Sequence, residues 1–81
     1  MKLNEAKQLF EDIVELCHQT ENQQLIELAA QLYPEVEEAT DVTKIKASAE
    51  ELQVTLHETE FLPEEEDSIQ EMHEKIELLS E

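Results

Sequence analysis

The clearest pattern in the chain is a row of apolar residues spaced three and four positions apart, as on one face of an α-helix. Near the N-terminus this row comprises Leu3, Ala6, Phe10, Ile13 and Cys17. Leu9, Val14 and Leu16 widen it to roughly 160° of the helix circumference. One neighbouring helix does not cover so wide an arc. The pattern therefore predicts a helix over 3–19 that contacts two partners.

A second helix is predicted over 21–33, because Thr20-Glu21-Asn22-Gln23 has the form of a capping box. Its apolar residues cover roughly 200° of arc, so we expect this helix to be central or buried in an interface. Pro34 disfavours helical geometry at the residue before it and suits a first helical turn. Residues 34–39 are therefore either a short separate helix or a kinked extension of the second helix.

A narrower apolar stripe predicts a third helix over 42–58, with Asp41 as its N-terminal cap. The stripe consists of Ile45, Ala49, Leu52 and Leu56. Leu52, Val54 and Leu56 also alternate as they would in a strand, so a strand at 52–56 is the alternative.

A fourth helix is predicted over 63–80, since Pro63 and the four acids after it are typical of a helix start. Its apolar stripe consists of Ile69, Met72, Ile76 and Leu79. The chain has no glycine, which argues against a fold rich in hairpins. We predict an all-α fold, a small antiparallel bundle of three to four helices that forms a single acidic domain over 1–81.

Charge changes this picture, because 22 Asp and Glu stand against 5 Lys and Arg, a net charge of −17. Such an excess adds self-repulsion that weakens the compact state, which indicates a selected role for the acidity. Residues 1–33 hold six acids and two lysines, whereas residues 34–81 hold sixteen acids and three lysines. The apolar half and the acidic half are predicted to be different halves.

The density of charge suggests a mimic of nucleic acid. A bundle about 25 Å long would carry roughly one net charge per 1.5 Å, against one per roughly 1.7 Å of duplex DNA. We predict a non-enzymatic protein that binds a basic protein partner, as a nucleic-acid-mimicking inhibitor of a DNA- or RNA-binding protein or nuclease. Nucleic acid itself and anionic membranes would repel it. The predicted partner-binding residues are Glu35, Glu37, Glu38, Asp41, Glu58, Glu60, Glu64, Glu65, Glu66, Asp67, Glu71 and Glu74.

The alternative is a small helical homodimer or adaptor whose acidity only maintains solubility. It would bind through exposed apolar positions of the first two helices, such as Leu9, Leu16, Ile26 and Ala30. The two hypotheses therefore assign binding to different halves of the chain.

Patterns for catalysis, cofactors and metals are weak, and we predict none of the three. Glu15 and His18 form one Glu-x-x-His step, where a di-metal bundle needs two, so an exposed edge is the better interpretation. Cys17 lies within the apolar arc and is predicted to be an inert core residue.

Two histidines, His57 and His73, each stand beside a glutamate without completing a zinc-protease pattern. They are predicted to be solvated surface residues. If the third and fourth helices brought them together, they could bind a metal ion or sense pH.

Asp67-Ser68-Ile69 at a helix start resembles the phosphopantetheine-bearing segment of acyl carrier proteins, which are also small, acidic and helical. The likeness is three residues long. In that family the serine follows a glycine-containing loop near mid-chain, whereas Ser68 lies near the end of a glycine-free chain. Ser68 is therefore interpreted as an ordinary polar residue in an acidic first turn.

The N-terminal segment has no apolar run of the kind found in signal peptides, and Cys17 is the single cysteine. We therefore expect a cytoplasmic protein. No apolar run is long enough to predict a membrane span.

Overall fold

A computed structural model describes residues 2–80, which form four α-helices joined by short connections. The helices are α1 (Leu3–Gln19), α2 (Gln23–Glu37), α3 (Val42–Glu58) and α4 (Glu66–Ser80), with a 3-10 turn at Pro63–Glu65 before α4. No strand occurs between residues 2 and 80. The predicted all-α bundle is confirmed, and the strand alternative at 52–56 is wrong.

Consecutive helices pack against each other in an antiparallel arrangement that closes where α1 meets α4. α1 also contacts α3 across the bundle, whereas α2 and α4 do not approach each other within 8 Å between Cα atoms. α1 therefore contacts three helices where two were predicted, and it, rather than α2, is the central helix.

The core draws on all four helices and on the turn after α2. It contains every member of the predicted stripes of α1, α3 and α4 except Leu3, Leu9, Val14 and Ile69, which are half-buried against it. The fully buried large side chains include Phe10, Ile13, Leu25, Ile45, Leu52, Met72, Ile76 and Leu79. Val54 points outward with 56% of its surface exposed. Leu52 and Leu56 are buried one helical turn apart, and Val54 between them faces solvent. A helix therefore accounts for the alternation that also fitted a strand.

The turn between α1 and α2 differs from the predicted capping box. Asn22, rather than Thr20, caps α2, because its side-chain oxygen accepts a hydrogen bond from the Leu25 N–H at 3.1 Å. The Thr20 hydroxyl instead donates to the Cys17 carbonyl at 2.7 Å and closes the end of α1. Glu21 has a φ of 58°. In a chain without glycine this left-handed position costs on the order of 1–2 kcal/mol.

α2 continues through Pro34 to Glu37, so the extension rather than a separate short helix is observed. Proline cannot donate to the carbonyl four residues earlier, which belongs to Ala30. Because Ala30 and Pro34 are both exposed, water can hydrate that carbonyl. Val36 and Ala39 are buried beyond the proline, and their burial favours the extra turn.

The predicted start of α3 is confirmed, since Asp41 Oδ1 accepts a hydrogen bond from the Thr43 N–H at 2.9 Å. The predicted fourth helix is also present, although its first residues, Pro63–Glu65, form a 3-10 turn.

The antiparallel arrangement gives the bundle two ends. The 38–41 end holds the α2–α3 connection and the start of α1, which are joined where Lys7 Nζ donates to the Glu37 carbonyl at 2.9 Å. The 59–65 end holds the α3–α4 connection and the turn after α1, and Cys17 Sγ lies 3.5 Å from Met72 Sδ near it. The molecule measures 36 × 22 × 18 Å. No helix within residues 2–80 combines the length and the apolar character needed to cross a bilayer.

Candidate acidic partner-binding surface

The twelve predicted partner-binding acids occupy three places in the fold. All are exposed except Glu65, which is half-buried. Glu35, Glu37, Glu38 and Asp41 lie at the 38–41 end; Glu58, Glu60, Glu64, Glu65, Glu66 and Asp67 lie at the 59–65 end; Glu71 and Glu74 lie along α4. The 17 residues of α3, about 25 Å of helix, separate the first group from the second. The structure therefore does not bring all twelve acids into one patch.

Some members of the second and third groups lie on or just before α4 and, together with Glu77, make up what we call the α4 acidic band. Its members are Glu64, Glu66, Asp67, Glu71, Glu74 and Glu77, and all are exposed. From Asp67 onward the acids follow at intervals of four, three and three residues, which keeps them on the outer side of α4. Glu77 was missed in the sequence analysis, although its three-residue spacing from Glu74 predicts its place.

Charge along this band is less dense than along one strand of DNA. The four acids from Asp67 to Glu77 span ten helical steps, about 15 Å, or roughly one carboxylate per 5 Å. A single DNA strand carries one charge per about 3.4 Å of axis. The band offers a basic partner a row of charges on one side of a rigid helix.

The net charge per unit length of the whole molecule is also lower than the value estimated from the sequence. Without Glu81, residues 2–80 carry a net charge of −16, and dividing the 36 Å length by it gives one net charge per about 2.3 Å. Duplex DNA carries one per about 1.7 Å. The estimate of one per 1.5 Å is wrong because the bundle with its connections is longer than the 25 Å assumed.

Two acids at the 38–41 end, Glu37 and Asp41, have neighbours within the fold that shift their pKa values. The Tyr33 hydroxyl donates to Glu11 Oε1 at 3.0 Å, and hydrogen bonds to Glu37 and then to Glu11 raise the pKa of Tyr33. Hydrogen bonding with Tyr33, followed by that with Glu11, lowers the pKa of Glu37. The Thr43 N–H lowers the pKa of Asp41. Tyr33 therefore joins α2 to α1 through Glu11, and Asp41 has a structural role in capping α3.

Glu65 also has a structural role, because its Oε2 accepts a hydrogen bond from the Leu62 N–H at 3.4 Å. This bond holds the 3-10 turn that leads into α4. Charge reversal at Glu65 would disturb the turn as well as the surface, so Glu65 is a poor position at which to test partner binding.

The apolar surfaces differ from those required by the adaptor hypothesis. Of its four residues, Leu16 is buried, Leu9 and Ile26 are half-buried and only Ala30 is exposed. The exposed large apolar side chains among residues 2–80 are Val54, Leu62 and Leu78, at 56%, 61% and 46%. All three belong to the acidic half. A homodimer through α1 and α2 stays a prediction, with little exposed apolar surface to support it.

An apolar pocket of about 290 Å³ adjoins the start of the band at the 59–65 end. It is lined by Phe61, Leu62, Pro63, Glu66 and Ile69. Phe61 and Ile69 also pack against the core. The pocket thus joins a mainly apolar depression to Glu66, a member of the acidic band.

The single cysteine is placed as predicted. Cys17 is buried, and burial raises the pKa of its thiol to about 11. A nucleophile needs the thiolate, which burial disfavours.

The other residues considered for chemistry lie at or near the surface. Glu15 and His18 are exposed at the edge of α1, where a His18 ring nitrogen lies 2.9 Å from the Val14 carbonyl. Ser68 is half-buried in the first turn of α4.

The structure brings His57 on α3 and His73 on α4 together. Their ring centroids are 5.4 Å apart and the ring planes are inclined by 46°. His57 is exposed and His73 is half-buried. Burial, and then the neighbouring His57, lower the pKa of His73. His57 is therefore a surface residue as predicted, whereas His73 is half-buried, and the two rings meet, as the alternative prediction required.

Comparison of the chain with protein-family models, with curated proteins and with solved structures finds no match in any of the three.

Proposed function

We propose that this chain is a small acidic protein that binds a basic protein partner through the α4 acidic band, and that it acts as a nucleic-acid-mimicking inhibitor of a DNA- or RNA-binding protein. The observation that carries the proposal is the position of the band. Glu71, Glu74 and Glu77 follow one another on the exposed side of a helix whose opposite side is core. The helix presents these charges at fixed positions, as a nucleic-acid backbone presents phosphates.

The overall charge supports the same interpretation. Five lysines can neutralise no more than five of the 22 acids, so most carboxylates face solvent without a cation from the chain itself. A basic partner would relieve their mutual repulsion. Long-range attraction would also raise the rate of association, and a basic nucleic-acid cleft would release its bound anions.

The apolar pocket beside the band supports a protein as the partner. Specific interfaces combine a desolvated apolar centre with a polar rim. Leu62 and the pocket would form such a centre, with Glu64 and Glu66 as part of its rim. We expect the partner to present a protruding apolar side chain among lysines and arginines.

The test is affinity capture at low salt from the cell of origin, with elution by a salt gradient. Two double variants separate the band from general acidity. E71K/E74K reverses two exposed mid-helix acids of the band, and E15K/E27K reverses two exposed mid-helix acids on α1 and α2. Both variants change the net charge by the same amount.

We expect the unmodified chain to retain a nucleic-acid-binding protein that competing duplex DNA or RNA displaces. E71K/E74K should lower the affinity for that protein by at least tenfold and make its dependence on salt shallower. E15K/E27K should lower it by less than threefold. Equal losses in the two variants would show that only net charge matters, and a captured protein that nucleic acid does not displace would contradict mimicry.

A further inference from the structure

The pair formed by His57 and His73 is a second feature with chemistry of its own, independent of the proposed function. The residues stand 16 positions apart in sequence, on neighbouring antiparallel helices, and their rings meet across the groove between α3 and α4. Hydrophobic packing does not require two imidazoles there. Imidazole nitrogens are, however, common ligands of Zn²⁺, Cu²⁺ and Ni²⁺.

The separation of the rings fits two ligands of one ion. Zinc–nitrogen bonds of about 2.0–2.1 Å and ligand angles near 109° place the centroids of two coordinating imidazoles roughly 5 Å apart. The observed separation is 5.4 Å, and rings inclined by 46° do not stack face to face. The separation of the rings therefore allows one nitrogen of each ring to face a shared ion when the rings rotate about their side-chain bonds.

We infer that His57 and His73 form a two-histidine site for a divalent transition-metal ion, which joins α3 to α4. No group of three or more His, Cys, Asp and Glu side chains between residues 2 and 80 is arranged to hold a metal. The two imidazoles are thus the protein's own ligands, and water completes the coordination of the ion. Such a site is open, unlike a closed structural zinc site with four protein ligands.

The surroundings favour a cation at this position. Glu58 and Glu74 follow the two histidines in sequence and are exposed, but adjacent helical residues point about 100° apart. They contribute to the negative potential without lying on the same helix faces as the histidines. Since 13 of the 17 net charges belong to residues 34–81, this potential raises the local concentration of divalent cations.

The test is a titration of the full chain with Zn²⁺ at pH 7.5 and 0.15 M NaCl, followed by calorimetry and by NMR signals of the histidine rings. H57Q and H73Q each remove one ligand. H18Q is the matched control, because His18 lies on α1 and its ring contacts the Val14 carbonyl. Mg²⁺, which prefers oxygen ligands, measures binding by carboxylates alone.

We expect Zn²⁺ to bind the unmodified chain at one site, to shift the ring signals of His57 and His73 and to raise the melting temperature. The dissociation constant should rise at least tenfold in H57Q and in H73Q, and less than twofold in H18Q. Circular dichroism checks that each variant remains helical. Zinc affinity that is unchanged in H57Q and H73Q, ring signals that do not move, or a response that Mg²⁺ reproduces would each overturn the site.

Discussion

The two halves of the molecule differ in charge and in their part in the packing of the bundle. Residues 1–33 carry a net charge of −4 and supply α1, the helix that contacts all the others. Residues 34–81 carry a net charge of −13, and they supply the exposed large apolar side chains Val54, Leu62 and Leu78. Packing is thus centred in one half, and the surface chemistry is concentrated in the other. The central helix α1 lies outside the most acidic region and contacts the other three helices. Its packing therefore holds the bundle together despite the repulsion between surface carboxylates.

The largest expected effect is the loss of stability when a buried side chain of the central helix α1 is truncated. Phe10 on α1 is fully buried, and Phe10→Ala should lower the free energy of unfolding by about 3–5 kcal/mol. That is a large part of the roughly 4–12 kcal/mol expected for a domain of this size. Val54→Ala on the exposed side of α3 should cost less than about 0.5 kcal/mol. Urea unfolding followed by circular dichroism measures both, and a loss below about 1.5 kcal/mol for Phe10→Ala would contradict a central α1.

An intermediate effect compares the helix caps of the two halves. Asn22→Ala should lower the free energy of unfolding by about 1 kcal/mol at pH 7 and at pH 3, since the amide does not titrate. Asp41→Ala should also destabilise the fold at pH 7. The Thr43 N–H lowers the pKa of Asp41 in the folded state, so its stabilising contribution is present above the unfolded pKa and is lost as pH falls through the folded pKa.

The difference between Asp41→Ala and the unmodified chain should therefore shrink in acid, while the Asn22→Ala difference persists. Urea unfolding at the two pH values measures both differences. A constant Asp41→Ala difference from pH 7 to pH 3 would show that the carboxylate charge does not contribute to capping.

The smallest expected effect concerns repulsion. Glu74 has acids three residues away on both sides, Glu71 and Glu77, whereas Glu27 has Gln24 and Ala30. Glu74→Lys should stabilise the fold by about 0.5–1 kcal/mol, because it replaces two like-charge pairs by two attractive pairs. Glu27→Lys should change the stability by less than half as much.

Thermal unfolding at low salt measures the effect of both lysine substitutions, and 0.5 M NaCl should reduce the difference between them through screening. Salt should also raise the melting temperature of the unmodified chain. A melting temperature that falls with salt would argue against repulsion as a major term.

Much of the fold followed from the sequence because the apolar spacing is regular. The bounds predicted for the first and third helices coincide with α1 and α3, and Asp41 caps α3 as predicted. The end of α2 was not determined by local sequence alone. Pro34 argues against helix, while burial of Val36 and Ala39 in the assembled core favours it. Tertiary packing determines where α2 ends, and local sequence patterns do not show which residues pack together in the assembled core.

The candidate sites were less predictable for a geometric reason. An antiparallel topology places the 38–41 and 59–65 connections at opposite ends of the bundle. Acids that belong to the same acidic half of the sequence are therefore far apart in space. The meeting of His57 and His73 depends on the register between α3 and α4, which the length and packing of residues 59–65 set. Spacing within one helix predicts which residues share its face, but it does not predict which residue of the next helix lies opposite.

The burial of Cys17 between α1 and α4 has a consequence for chemical labelling. Burial raises the pKa of the Cys17 thiol to about 11, so the reactive thiolate is scarce at neutral pH in the folded protein, which also shields it from reagents. A thiol reagent therefore reacts through molecules in which α1 has separated from α4. The rate of thiol labelling would therefore measure how often α1 and α4 separate around Cys17 in the native protein.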